Sequence, residues 1–137
     1  MKQKKIYLYT DGGSRGNPGS AAIGIVVCDE NKNIIHKHKE CIGEATNNTA
    51  EYIALLKGLE MAAGISRNEI CCFSDSELLV KQLNGSYRIK ANHLRDIYYD
   101  IKIREGPFKD VKYNHVKRNN KFIQKCDELV NKALDDK

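Results

Sequence analysis

Four acidic residues, Asp11, Glu51, Asp75 and Asp127, stand where their side chains can converge. Asp11 and Asp75 each close a short strand-like run, and the second run is the first to follow a helical crossover. If the two strands are parallel neighbours, both acids lie at one carboxyl edge. Strands sit roughly 4.8 Å apart, near enough for one metal ion to be held from both. At about 100° per residue, Tyr52, Leu55, Leu56, Leu59, Ala62 and Ala63 form one apolar arc with Glu51 on its margin. Phe122, Ile123, Cys126, Leu129, Val130, Ala133 and Leu134 form another, with Asp127 on its margin. Clustered bare carboxylates repel and raise one another's pKa, whereas Mg²⁺ prefers oxygen ligands and keeps them ionised. Joint convergence therefore points to a metal. Singly, each acid has a local reading: Asp11 before a Gly12-Gly13 turn, capping boxes at Asn48-x-x-Glu51 and Ser74-x-x-Glu77, Asp75 as a cap, Asp127 as a solvated helix residue.

The elements that must position these acids follow from periodicity. Residues 5–11 alternate as a strand, and the Gly/Asn/Pro-rich stretch 12–19 reads as the loop that ends it. Strands over 21–29 and 33–42, joined by turn residues, complete an antiparallel meander. A helix over 49–63, a strand over 69–73, helices over 77–83 and 93–104, a strand over 111–116 and an amphipathic helix over 122–134 follow. The order is β-β-β-α-β-α-α-β-α, an α/β fold with no repeat, linker or low-complexity segment.

Length and composition bound the rest. With 137 residues, 41% hydrophobic and 30% charged, the chain reads as one packed domain over 1–137. Lys plus Arg outnumber Asp plus Glu by 23 to 18, a net charge of +5, which favours polyanionic partners. No stretch approaches the roughly 20 apolar residues of a membrane span, and the apolar run after Met1–Lys5 is too short for a signal-peptide core. A cytoplasmic protein is expected. The cysteines Cys28, Cys41, Cys71, Cys72 and Cys126 include no C-x-x-C pair and read as small buried apolar residues. Alternation puts His36 and His38 on one exposed strand face and Cys41 on the other, so no zinc site is expected there.

Four segments together carry a resemblance: Tyr9-Thr10-Asp11-Gly12-Gly13-Ser14-Arg15-Gly16-Asn17-Pro18-Gly19, Thr46-Asn47-Asn48-Thr49-Ala50-Glu51, Ser74-Asp75-Ser76, and Cys126-Asp127-Glu128-Leu129-Val130-Asn131. In order and spacing the chain resembles ribonuclease HI over essentially its whole length. The resemblance implies a ribonuclease H-like fold, a five-stranded mixed sheet of three antiparallel plus two parallel strands with helices on both faces. It further implies endonucleolytic cleavage of the RNA strand of an RNA/DNA hybrid by a monomer. By the same resemblance Asp11 would bridge two Mg²⁺ ions (Mn²⁺ being an alternative), Asp75 helping to hold one and Glu51 and Asp127 the other, leaving 5′-phosphate and 3′-hydroxyl ends. Gly12, Gly13, Ser14, Asn17, Asn47, Asn48 and Ser76 would meet the substrate, the glycines through close backbone approach to a ribose.

His115 matches a family histidine that assists proton transfer or product release, but it stands two residues too far from Asp127. Glu77 replaces a common Gln, and no Trp-containing basic handle is present. Lys81, Arg88, Lys90, His93 and Arg95 are the preferred phosphate contacts in its place, ahead of Lys112, Lys117, Arg118, Lys121 and Lys125. A noncatalytic nucleic-acid-binding module on the same fold is the alternative, but it would not need all four acids. DNA strand transfer needs assembly regions for which this length leaves no room.

Overall fold

The computed structural model describes residues 5–137; the first four residues of the basic N-terminal run lie outside them. Its sheet has five strands in the order β3-β2-β1-β4-β5. Strands β1 (Ile6–Gly16), β2 (Gly19–Cys28) and β3 (Ile34–Ala45) form the antiparallel meander. Helix α1 (Asn47–Ala63) crosses over to β4 (Glu69–Ser74), which runs parallel to β1. Helices α2 (Glu77–Leu83) and α3 (Asn92–Glu105) lead to β5 (Asp110–His115), parallel to β4, and α4 (Lys121–Asp135) closes the chain. This is the element order expected from the periodicities, and the strand mixture that the resemblance implies.

One expectation needs correction. Strand β1 does not end at Asp11 but continues to Gly16, pairing Gly12 with Ile23 and Gly13 with Ala22, and only Asn17 and Pro18 turn the hairpin. A run rich in glycine reads as a loop by composition, yet a neighbouring strand with free ladder groups recruits it. Asp11 is thus an interior strand residue opposite Gly24. The parallel register still aligns the acids: Tyr9 faces Phe73, and two residues further along each chain stand Asp11 and Asp75.

Alternation along β1 divides the core between the two faces. Ile6 and Leu8 pack with Ile23, Ile25, Tyr52, Leu55 and Leu59 on the α1 side. Tyr9 packs with Val26, Phe122, Ile123 and Cys126 on the α4 side, its ring 4.8 Å from that of Phe73 and 4.7 Å from that of Phe122. Both helices approach the sheet where a strand lacks a side chain. A Cβ on Gly12 would lie 2.3 Å from the Ala50 carbonyl carbon of α1, and one on Gly24 2.2 Å from the Cys126 carbonyl oxygen of α4.

The helix starts also differ from expectation. Thr46, rather than Asn48, caps α1 by accepting the Thr49 amide at 3.1 Å, because the helix opens at Asn47 and Asn48 already lies inside it. Ser76, rather than Ser74, caps α2 through the Leu79 amide at 3.2 Å. All five cysteines are free thiols; four are buried, but Cys41 is exposed because β3 is the sheet's edge strand. His36 and His38 join no metal-binding cluster among the described residues, and His38 instead meets Glu40 at 2.8 Å. Among the described residues no helix is long and apolar enough to cross a membrane.

Candidate active site

At the carboxyl edge of β4, beside the still-running β1, a cleft of about 400 Å³ is lined by all four acids. Carboxylate oxygens of Asp11, Glu51 and Asp75 lie within 4.8 Å of one another. Each is placed by a different element. Asp11 is fixed by the ladder of β1 and is only 5% exposed. Asp75 follows directly on the end of β4. Glu51 comes from the start of α1, and the backbone amide of Gly12 donates to its Oε1 at 3.0 Å. The missing side chain of Gly12 lets α1 come close enough for that bond, so this glycine serves helix packing. Asp127 of α4 borders the cleft outside the close trio, 3.5 Å from the Asn131 side-chain nitrogen.

The acids strain one another electrostatically. Burial, then the charges of Asp75 and Asp127, push the Asp11 carboxyl up to about 7, while Arg118 and the Gly12 amide pull it down. Burial and the charges of Asp11 and Asp75 hold Glu51 well above the ordinary carboxylate range. Arg118, on the β5–α4 loop, is the relieving cation: its Nε stands 3.9 Å from Asp75 Oδ2, its side chain 80% exposed against 12% for Asp75. An all-carboxylate donor set that raises its own proton affinity fits a hard divalent cation, Mg²⁺ or Mn²⁺, which would supply the missing positive charge.

The expected substrate residues divide into two groups. Gly13, Ser14, Asn47 and Ser76 line the cleft with Gly12, whereas Asn17 and Asn48 do not, and neither does His115, expected to assist proton transfer or product release. Asn17 accepts the Asn47 amide at 3.0 Å and Asn47 accepts the Ser14 amide at 2.8 Å, so the asparagines tie the hairpin to the start of α1. The Ser76 hydroxyl is committed to its cap. His115 is exposed at the end of β5, beside Ser74. In the sequence Arg118 is only one of a cluster of cations; the loop that follows His115, the last residue of β5, brings it into the cleft. Arg15, which sequence reasoning missed, lines the cleft and is tied to Asp135 at 2.7 Å. Of the other cations, Lys81 pairs with Glu77 at 3.5 Å, and His93 hydrogen-bonds Thr49 at 3.1 Å.

Comparison with known proteins agrees with this geometry. Residues 9–133 match the family model described as reverse transcriptase-like. A bifunctional protein of Mycobacterium tuberculosis is 36% identical over 132 residues, a match covering 96% of this chain and 36% of that protein. Ribonuclease HI of Halobacterium salinarum is 39% identical over 132 residues, covering 96% of this chain and 65% of that one. The chain thus spans about a third to two thirds of the length of these curated relatives. The crystal structure of RNase H1 from Halobacterium salinarum superposes with a TM-score of 0.93 at 38% identity, covering 97% of this chain and 99% of that one. LC11-RNase H1, isolated from compost and crystallised in complex with an RNA/DNA hybrid, superposes with a TM-score of 0.89 at 38% identity, covering 96% and 97% respectively.

Proposed function

The chain belongs to the ribonuclease H1 family, and from that premise we propose that it is an endonuclease hydrolysing the RNA strand of RNA/DNA hybrids to 5′-phosphate and 3′-hydroxyl ends. The observation that carries the reading is the trio of carboxylates, Asp11, Glu51 and Asp75, within 4.8 Å at the floor of an open cleft. The grouping of Glu51 with Asp11 and Asp75, with Asp127 outside the trio, favours a ligand partition different from the one the resemblance implied. Asp11, Glu51 and Asp75 would hold one Mg²⁺ and Asp11 with Asp127 the second, Mn²⁺ being an alternative occupant. Bound there, such ions acidify the attacking water and stabilise the leaving 3′ oxygen.

The chain's own groups do the positioning. The Gly12 amide fixes one oxygen of Glu51 and leaves the other for a ligand. Arg118, exposed at the mouth of the cleft beside Asp75, draws the scissile phosphate toward the acids and offsets its charge. Gly13, Ser14, Asn47 and Ser76, which line the cleft, would meet the minor groove, where the 2′-hydroxyl distinguishes RNA from DNA. Asn17 acts indirectly by holding Asn47. Asn48 and His115 stand outside the cleft, where contacts to more distant parts of a long hybrid remain open to them.

All four acids come from one chain, in keeping with a monomeric domain over 1–137. Five unpaired thiols suit a reducing, cytoplasmic setting. The deciding experiment is cleavage of a labelled RNA/DNA hybrid with and without Mg²⁺, beside all-DNA and all-RNA duplexes and an Asp11→Asn control. Mg²⁺-dependent loss of the RNA strand, absent in the control, is expected. A folded protein that binds the hybrid and leaves it intact with either Mg²⁺ or Mn²⁺ overturns the reading in favour of a binding module.

A further inference from the structure

On the connection between α2 and α3 lies a second concavity, of about 230 Å³, lined by Gln82, Tyr87, Arg88, Arg95, Tyr98 and Tyr99. No Asp or Glu lines it, the reverse of the acid cleft. Its walls are anchored. Ile89 is buried in the core, the Gln82 amide donates to the Arg88 carbonyl at 3.4 Å, and Arg95 donates to the Lys90 carbonyl at 3.0 Å. Tyr87 and Tyr99 are nonetheless 48% and 60% exposed, and the Lys81 ammonium sits 4.9 Å from the Tyr87 ring. Among the described residues, neither Arg88 nor Arg95 has an ion-pair partner.

Exposed rings interleaved with cations suit a particular ligand. A paired duplex keeps its base faces stacked inside, so it offers such a surface sugars and phosphates but no free base face. Unpaired nucleotides offer both a phosphate and a free aromatic face, and they bind by stacking on tyrosines beside Arg and Lys. The groove is also near enough to matter. Helix α2, seven residues long, begins at the cleft and ends at the groove, a span of about 10 Å. A strand continuing out of the acid cleft reaches it within a few nucleotides.

We propose that the groove of Tyr87, Tyr98, Tyr99, Arg88 and Arg95 binds unpaired nucleotides that flank a hybrid, directing the enzyme to junctions between hybrid and single strand. The inference rests on the hybrid-cleavage reading above and adds a ligand that the acid cleft does not need.

The test compares kcat/KM for a blunt hybrid with that for the same hybrid carrying a single-stranded DNA extension at one end or the other. Wild type is expected to favour one extended substrate by roughly fivefold or more, through KM, since base stacking has about that worth per base. In the double variant Tyr87→Ala/Tyr99→Ala the extended-to-blunt ratio falls to about one, and in Tyr87→Phe it is kept. A ratio near one in wild type, or a ratio that survives in the double variant, overturns the proposal. A metal-free titration with a short single-stranded DNA, read by amide shifts along residues 84–99, separates the two claims. Shifts there without any hybrid cleavage sink the catalytic reading alone, whereas cleavage without shifts sinks the groove alone.

Discussion

Replacing Asp11 by Asn should make the metal-free protein more stable while removing its activity. The Asp11 carboxyl is raised from an ordinary 3.8 to about 7, first by burial and then by Asp75 and Asp127. A carboxyl that binds its proton more tightly when folded makes stability fall as pH rises, by about 1.4 kcal/mol per pH unit. The favourable difference is complete below about 3.8 and lost by about 7. By pH 8 the ionised acid therefore costs on the order of 4 kcal/mol, which Asn, of the same shape and uncharged, does not incur. For a domain of this size that is a gain of roughly 15 °C in Tm. Thermal unfolding in chelator at pH 4, 6 and 8 reads it directly. The variant should exceed wild type at pH 8, with the gap closing toward pH 4. Added Mg²⁺ should raise wild type far more than the variant, because it restores the charge balance that the acids lack. Equal stability at pH 8, or a gap that does not change with pH, would refute the electrostatic account of this cleft.

Removing the cleft's cation acts in the opposite sense: Arg118→Ala should push the Asp11 carboxyl higher still and lower kcat/KM by roughly 10- to 100-fold, with Arg118→Lys intermediate. Steady-state kinetics across pH 6 to 9 check this, and an unchanged profile counts against a role for the guanidinium. Gly12→Ala drives a methyl into the α1 backbone, so a loss of about 3 kcal/mol or more in urea unfolding is expected, with the Glu51 contact broken. His115→Ala should change hybrid cleavage by less than about threefold, since the ring is exposed outside the cleft. A hundredfold loss would instead require the β5–α4 loop to close over the substrate.

The element order and the convergence of acids were readable because both rest on local pattern: alternation in β1, a short apolar run in β4, and apolar arcs in α1 and α4 whose margins carry Glu51 and Asp127. What escaped depended on partners distant in sequence. The glycines after Asp11 look like a turn until β2 is laid beside them. That Asn17 and Asn47 also tie the hairpin to α1 is not visible until their hydrogen bonds to one another and to Ser14 are seen. Arg118 is one cation among many until the loop carries it back over Asp75. Cys41 has an ordinary buried-thiol composition, but its strand is an edge, a fact of strand order that local sequence does not carry.

The bond from the Gly12 amide to Glu51 has a further use. It ties one backbone proton to a carboxylate whose charge state changes on titration and on metal loading, and that proton belongs to a glycine, whose nitrogen resonates apart from most others in a heteronuclear spectrum. The protein therefore carries its own reporter: a single peak whose position follows the occupancy of Glu51, and whose exchange with solvent deuterium times how often α1 lifts from β1.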